Sequence, residues 1–160
     1  MSGWTPSQTV GPFFRFGLDW MDNSDLVDPA DPGAVELRGV IHDGDGAGVP
    51  DAVIELWQAP RFGRALTAED GSYRFTITKP APGPGPQAPH IDVSLFARGL
   101  LQRLVTRIYF PDEQAANGSD PVLLQVPGER RSTLIAERSA GCLRFDVHLQ
   151  GPRETVFFAY

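Results

Sequence analysis

Cysteine occurs once in the 160 residues, at Cys142, so the chain can close no internal disulfide and build no cysteine-based metal cluster. No apolar stretch approaches the roughly 18 residues of a membrane-spanning helix. The N-terminus lacks a basic region followed by an apolar run. Positive charge is scarce too. The 14 Lys and Arg are outnumbered by 20 Asp and Glu, and the net charge of −6 argues against nucleic acid or an anionic membrane as partner. Gly-x-Ser-x-Gly, a phosphate loop and a dinucleotide fingerprint are all absent. These absences predict a soluble, cytoplasmic chain with no nucleic-acid or membrane partner.

What is present predicts an all-β fold. Hydrophobic residues at 41% and charged ones at 21% fit a folded globular chain. At this length one domain buries roughly two-thirds of its unfolded surface. Fifteen Pro and seventeen Gly suit short strands joined by tight turns. Strand-like segments fall at 35–42, 52–58, 73–78, 103–110 and 142–149, and 155–160 reads as a closing apolar strand. In 142–149 the alternation turns Leu143, Phe145, Val147 and Leu149 inward and leaves His148 on a solvated polar face. Asp70-Gly71 signals a type I′ turn. Residues 112–117 and 128–133 suggest single helical turns. Asp43 and Asp45 among glycines form a turn rather than a calcium loop, since no acidic ligands follow.

Residues 1–33 read as an irregular arm, broken by Pro6, Pro12, Pro29 and Pro32, and 34–160 as the sandwich domain. Trp4, Phe13, Phe14, Phe16 and Trp20 crowd this arm. So much aromatic surface is costly in water, so the arm lies on its own domain or on another chain.

The chain is organised around Ala88-Pro89-His90-Ile91-Asp92-Val93-Ser94-Leu95-Phe96-Ala97-Arg98-Gly99. Ile91, Val93, Leu95 and Ala97 alternate with polar neighbours, which marks a strand with one apolar face. His90 and Asp92 share the other face, and on a straight strand Arg98 lies there too, roughly 20 Å beyond Asp92.

This segment, with Thr5-Pro6-Ser7-Gln8-Thr9-Val10-Gly11-Pro12 and Glu154-Thr155-Val156-Phe157-Phe158, resembles the alpha-type subunits of the intradiol ring-cleavage dioxygenases. The likeness runs over nearly the whole chain, with a shortened middle between Trp57 and Asp70. It implies a transthyretin- or prealbumin-like β-sandwich. It also implies a hetero-oligomer in which a homologous beta subunit holds Fe(III), while this chain holds no metal and no catalytic residue. At the shared site protocatechuate would react with O2, opening to 3-carboxy-cis,cis-muconate. By the same likeness Thr9, Gly11, Pro12 and Phe13 of the arm, together with Arg98, line the substrate pocket. Phe13 stands where a Tyr is usual, which removes a hydroxyl. Arg98 offers a forked cation to the substrate carboxylate; its alternative is a surface or interface ion pair.

The family's ferric ion is held by two Tyr phenolates and two His. No Tyr stands between Trp57 and Asp70, or between Lys79 and Ala88, and the His-x-His position reads His90-x-Asp92. His90 and Asp92 are therefore expected as a vestigial metal-site position, bonded to each other or to backbone, with an unusual two-point chelate as the alternative. Lone Cys142 reads as a small buried hydrophobe. Two further classes stay open: a stand-alone transthyretin-like binding module, and a mononuclear metal enzyme built on His90 and Asp92.

Overall fold

The alternation at 88–99 becomes a strand, β5, in the computed structural model, which describes residues 3–11, 13–18, 23–81 and 85–159. In chain order the strands are β1 (Ala34–His42), β2 (Val53–Gln58), β3 (Arg61–Leu66), β4 (Ser72–Thr78), β5 (His90–Phe96), β6 (Leu104–Tyr109), β7 (Glu137–Ser139), β8 (Cys142–Arg144) and β9 (Val147–His148). Helix among the described residues is limited to α1 (Phe13–Phe16), α2 (Gln114–Ser119) and 3-10 turns at Leu123–Gln125 and Gly128–Leu134. None is long and apolar enough to cross a membrane.

Two sheets make the sandwich. One runs β3-β2-β5-β6, antiparallel throughout. The other runs β4-β1-β8-β7, with β9 also on β1; β8 and β9 lie parallel to β1. Ile54, Leu56, Ile91, Val93, Leu95 and Ile108 of the first sheet meet Leu37, Ile41, Phe75, Ile77 and Leu143 of the second, all buried. Each such side chain contributes about 1.5–3 kcal/mol by leaving water. The all-β sandwich read from the sequence is the fold observed. A strap over residues 23–26 closes the side where β3 and β4 meet: Arg64 N–H donates to Asn23 O, and Leu26 N–H to Thr76 O.

Several local expectations are corrected. Residues 61–66 form β3, a strand missed in the shortened 57–70 segment. The 142–149 run splits into β8 and β9, because Asp146 Oδ1, not a backbone carbonyl, accepts the Val40 N–H at 3.0 Å. Of the 155–160 segment, residues 155–159 form an extended tail that touches β6 through Phe158 N–H to Val105 O, and Tyr160 lies outside the described residues. At Asp70-Gly71 only Gly71 has a positive φ (78°), so the turn is not type I′, which needs two. Cys142 is half-buried, not a core residue. His148 is half-buried as well, stacked on His42 with ring centroids 4.7 Å apart.

Candidate functional site

The register across the four-stranded sheet sets the outward-facing cluster. Trp57 pairs with Asp92 and Asp92 with Arg107, so residues from β2, β5 and β6 line up in one row. Arg107 Nε donates to Asp92 Oδ1 at 2.9 Å, and its Nη1 reaches Gln87 Oε1 at 3.2 Å and the Tyr109 hydroxyl at 3.5 Å. Burial works against the Arg107 charge, but Tyr109 and Asp92 more than offset it and raise its pKa. His90 Nδ1 lies 2.7 Å from the Ala88 carbonyl, so that nitrogen carries the proton and donates it. His90 Nε2 is 3.7 Å from Asp92 Oδ1, too far for a hydrogen bond. Of the two partners expected for His90, the backbone is the one taken.

Asp120 anchors this cluster from beneath. Its Oδ1 accepts the Val122 and Leu123 N–H groups and the Tyr109 hydroxyl, at 2.9, 2.8 and 3.1 Å. Its Oδ2 accepts Ala88 N–H at 2.8 Å. Burial alone would raise the pKa of this fully buried carboxylate, yet the N–H donors of Leu123 and Ala88 and the Tyr109 hydroxyl outweigh it, and the pKa is lowered. Burial moves Tyr109 the other way, up to about 12, with Asp120 adding to the shift and Arg107 opposing it.

The donor set here does not fit a ferric ion held by two phenolates and two imidazoles. Both loop windows lack tyrosine. Tyr109 spends its hydroxyl on Asp120 inside β6, and the carboxylate at the second-histidine position is taken by a guanidinium. A fixed cation within 3 Å of Asp92 repels a second one.

The arm docks at the other end of β5. The strand stops at Phe96, and residues 97–100 turn back, with Leu100 N–H on Ala97 O and Gly99 at φ 88°. Arg98 therefore stands in a turn and not on the strand face shared by His90 and Asp92. Thr9 Oγ1 accepts the Gly99 N–H at 2.8 Å, and Phe14 packs on Phe96 with centroids 6.0 Å apart. Arg98 Nη2 lies 3.4 Å from Asp51 Oδ2, whose other oxygen takes Arg15 Nη1 at 3.1 Å. Thr9 and Arg98 are thus brought together. Gly11 and Phe13 stay exposed, and Pro12 lies outside the described residues. Trp4, Phe13 and Phe16 are 99%, 79% and 66% exposed.

Sequence reasoning missed Arg107, Asp120 and Asp51. Arg107 had one available signal, since it sits on an alternating strand beside Tyr109; the other two had none. A cleft of about 910 Å³ contains none of the predicted site residues. It opens between α1, β1, β3, β4 and β8, and its arginines have nearby acids: Arg15 with Asp51, Arg64 with Glu55, Arg144 with Asp146.

The sandwich is that of a dioxygenase domain. The solved dioxygenase domain of a dioxygenase carbohydrate-binding protein fusion from Streptomyces sp. SirexAA-E superposes with a TM-score of 0.62 at 25% identity, over 95% of this chain and 99% of that one. No family model matches. The protocatechuate 3,4-dioxygenase alpha chain of Burkholderia cepacia is 43% identical over 96% of both chains, and that of Pseudomonas putida 39% over 98% of this chain and 96% of its own. The Burkholderia cepacia beta chain is 30% identical over 73% of this chain and 64% of its own length. This chain belongs to the family of protocatechuate 3,4-dioxygenase alpha chains.

Proposed function

We propose that this chain is the iron-free subunit of a protocatechuate 3,4-dioxygenase and completes the substrate pocket of a homologous beta subunit that carries Fe(III). The observation that carries the reading is Arg107 on Asp92: a permanent cation holds the position where the resemblance would put a metal ligand. The beta chain's ferric centre would supply the ring-opening chemistry, which inserts both atoms of O2 to yield 3-carboxy-cis,cis-muconate. This chain's share is positioning and exclusion of water. Thr9, Gly11, Pro12 and Phe13 of the arm (1–33) would reach the shared pocket, and Arg98 would receive the carboxylate of protocatechuate.

The exposed aromatics of the arm support a partner, because Trp4, Phe13 and Phe16 together present apolar surface that a solitary chain leaves in water. One observation favours a second reading, the stand-alone binding module. Thr9 on Gly99 and Arg15 on Asp51 show that the arm can dock on its own sandwich.

Purification under native conditions with iron analysis tests both. A stoichiometric companion and one iron per pair, with the separated chain colourless and metal-free, is the expected result. Two irons per pair, or iron retained by the isolated chain, overturns the iron-free role. A monodisperse monomer without a companion moves the assignment to the binding module.

A further inference from the structure

We propose that Asp51 is the positioning residue that aims Arg98 and ties the arm to it, so that a residue remote from the ring sets the preference for a carboxylated substrate. The proposal rests on the pocket role of Arg98 given above. Three separate segments meet at this carboxylate: Arg15 from α1, Asp51 from the turn before β2, and Arg98 from the turn after β5. Thr9 joins the same turn through Gly99, so the arm is held there twice, once directly and once through Asp51.

The charge balance favours this role. Two guanidinium groups share one carboxylate, which leaves the cluster a single net positive charge facing solvent. Arg98 is half-exposed, whereas Asp51 and Arg15 are mostly covered, their side chains 23% and 27% exposed. An arginine stem free in water samples many rotamers. A partly covered acid on one edge of its fork narrows that range and leaves the exposed part of the guanidinium for a second carboxylate. Asp51 also sits at φ 63°, a left-handed backbone that Asp and Asn tolerate better than most residues. Asp51→Asn therefore keeps the turn while removing the charge.

The test uses the assembled complex with its companion chain, comparing Asp51→Asn, Arg98→Ala and the double variant on protocatechuate and on catechol, which lacks the carboxylate. Asp51→Asn is expected to raise KM for protocatechuate about tenfold, with kcat within about twofold and catechol kinetics unchanged. The double variant is expected to match Arg98→Ala alone, because Asp51 acts through Arg98. An unchanged or lowered protocatechuate KM in Asp51→Asn, effects that add in the double variant, or equal losses on both substrates overturn the proposal. If Arg98→Ala itself leaves KM unchanged, the pocket role of Arg98 falls, and the proposal with it. Thermal unfolding of the Asp51→Asn complex separates a misfolded turn from a mis-aimed arginine: an unchanged Tm beside a raised KM is the supporting result.

Discussion

Arg107 and Asp92 face each other across the β5–β6 ladder, with Nε 2.9 Å from Oδ1. Gln87 and Tyr109 hold the same guanidinium from its other edge. Asp92 is half exposed, so solvent screening limits the pair to about 1 kcal/mol. Arg107→Met is expected to lower Tm by about 2–4 °C. A double-mutant cycle with Asp92→Asn checks it: a coupling energy near zero would mean that the two side chains do not support each other.

Asp120 should be worth considerably more. Asp120→Ala strands three backbone N–H groups and the Tyr109 hydroxyl without their acceptor, and a loss of about 3–5 kcal/mol is expected in denaturant unfolding. The acid limb offers a second check. The native pKa is lowered, so the unfolded chain binds protons first. The stabilisation is complete above the usual carboxylate pKa and fades as pH falls through the lower native value. Asp120→Asn should flatten that limb.

The stacked His42–His148 pair should weaken folding in mild acid. Burial, then the charges of Arg153 and His42, lower the His148 pKa, and Asp146 opposes them only in part. The unfolded chain therefore takes up more protons as pH drops below about 6.5, and stability declines with it. In His148→Gln, urea midpoints measured from pH 7.5 to 5 should show a shallower decline; an identical slope would assign the effect to other groups.

Gly39 is a steric necessity of β1. A Cβ there would lie 1.9 Å from the Phe145 carbonyl oxygen and 2.6 Å from the Tyr73 hydroxyl, which donates to that same carbonyl. Gly39→Ala is expected to cost more than about 4 kcal/mol and to give little folded protein. Tyr73→Phe should cost about 1–2 kcal/mol, the loss of one buried hydrogen bond. Soluble yield and Tm of the two variants test the order.

The outline of the sandwich was legible because β1, β2, β4, β5 and β6 carry inward residues large enough to show a period of two. Strand β3 was not. Its inward positions are Gly63 and Ala65, too small to register as apolar alternation, and only its pairing with β2 defines it. The run at 142–149 misled in the opposite sense. Its alternation is intact, with Leu143, Phe145 and Val147 buried, but a side-chain oxygen of Asp146 replaces one rung of the ladder.

The sequence by itself determined the all-β class, the alternating strand that carries His90 and Asp92, the missing tyrosines and the family wording. All of these are written in neighbouring residues, through period, turn chemistry and motif. Tertiary structure alone decided that Arg107 closes on Asp92, that Asp120 gathers Ala88, Tyr109 and Leu123, and that Asp51 joins Arg15 to Arg98. Those relationships depend on strand register and on turns that bring distant segments together, and a local pattern encodes neither.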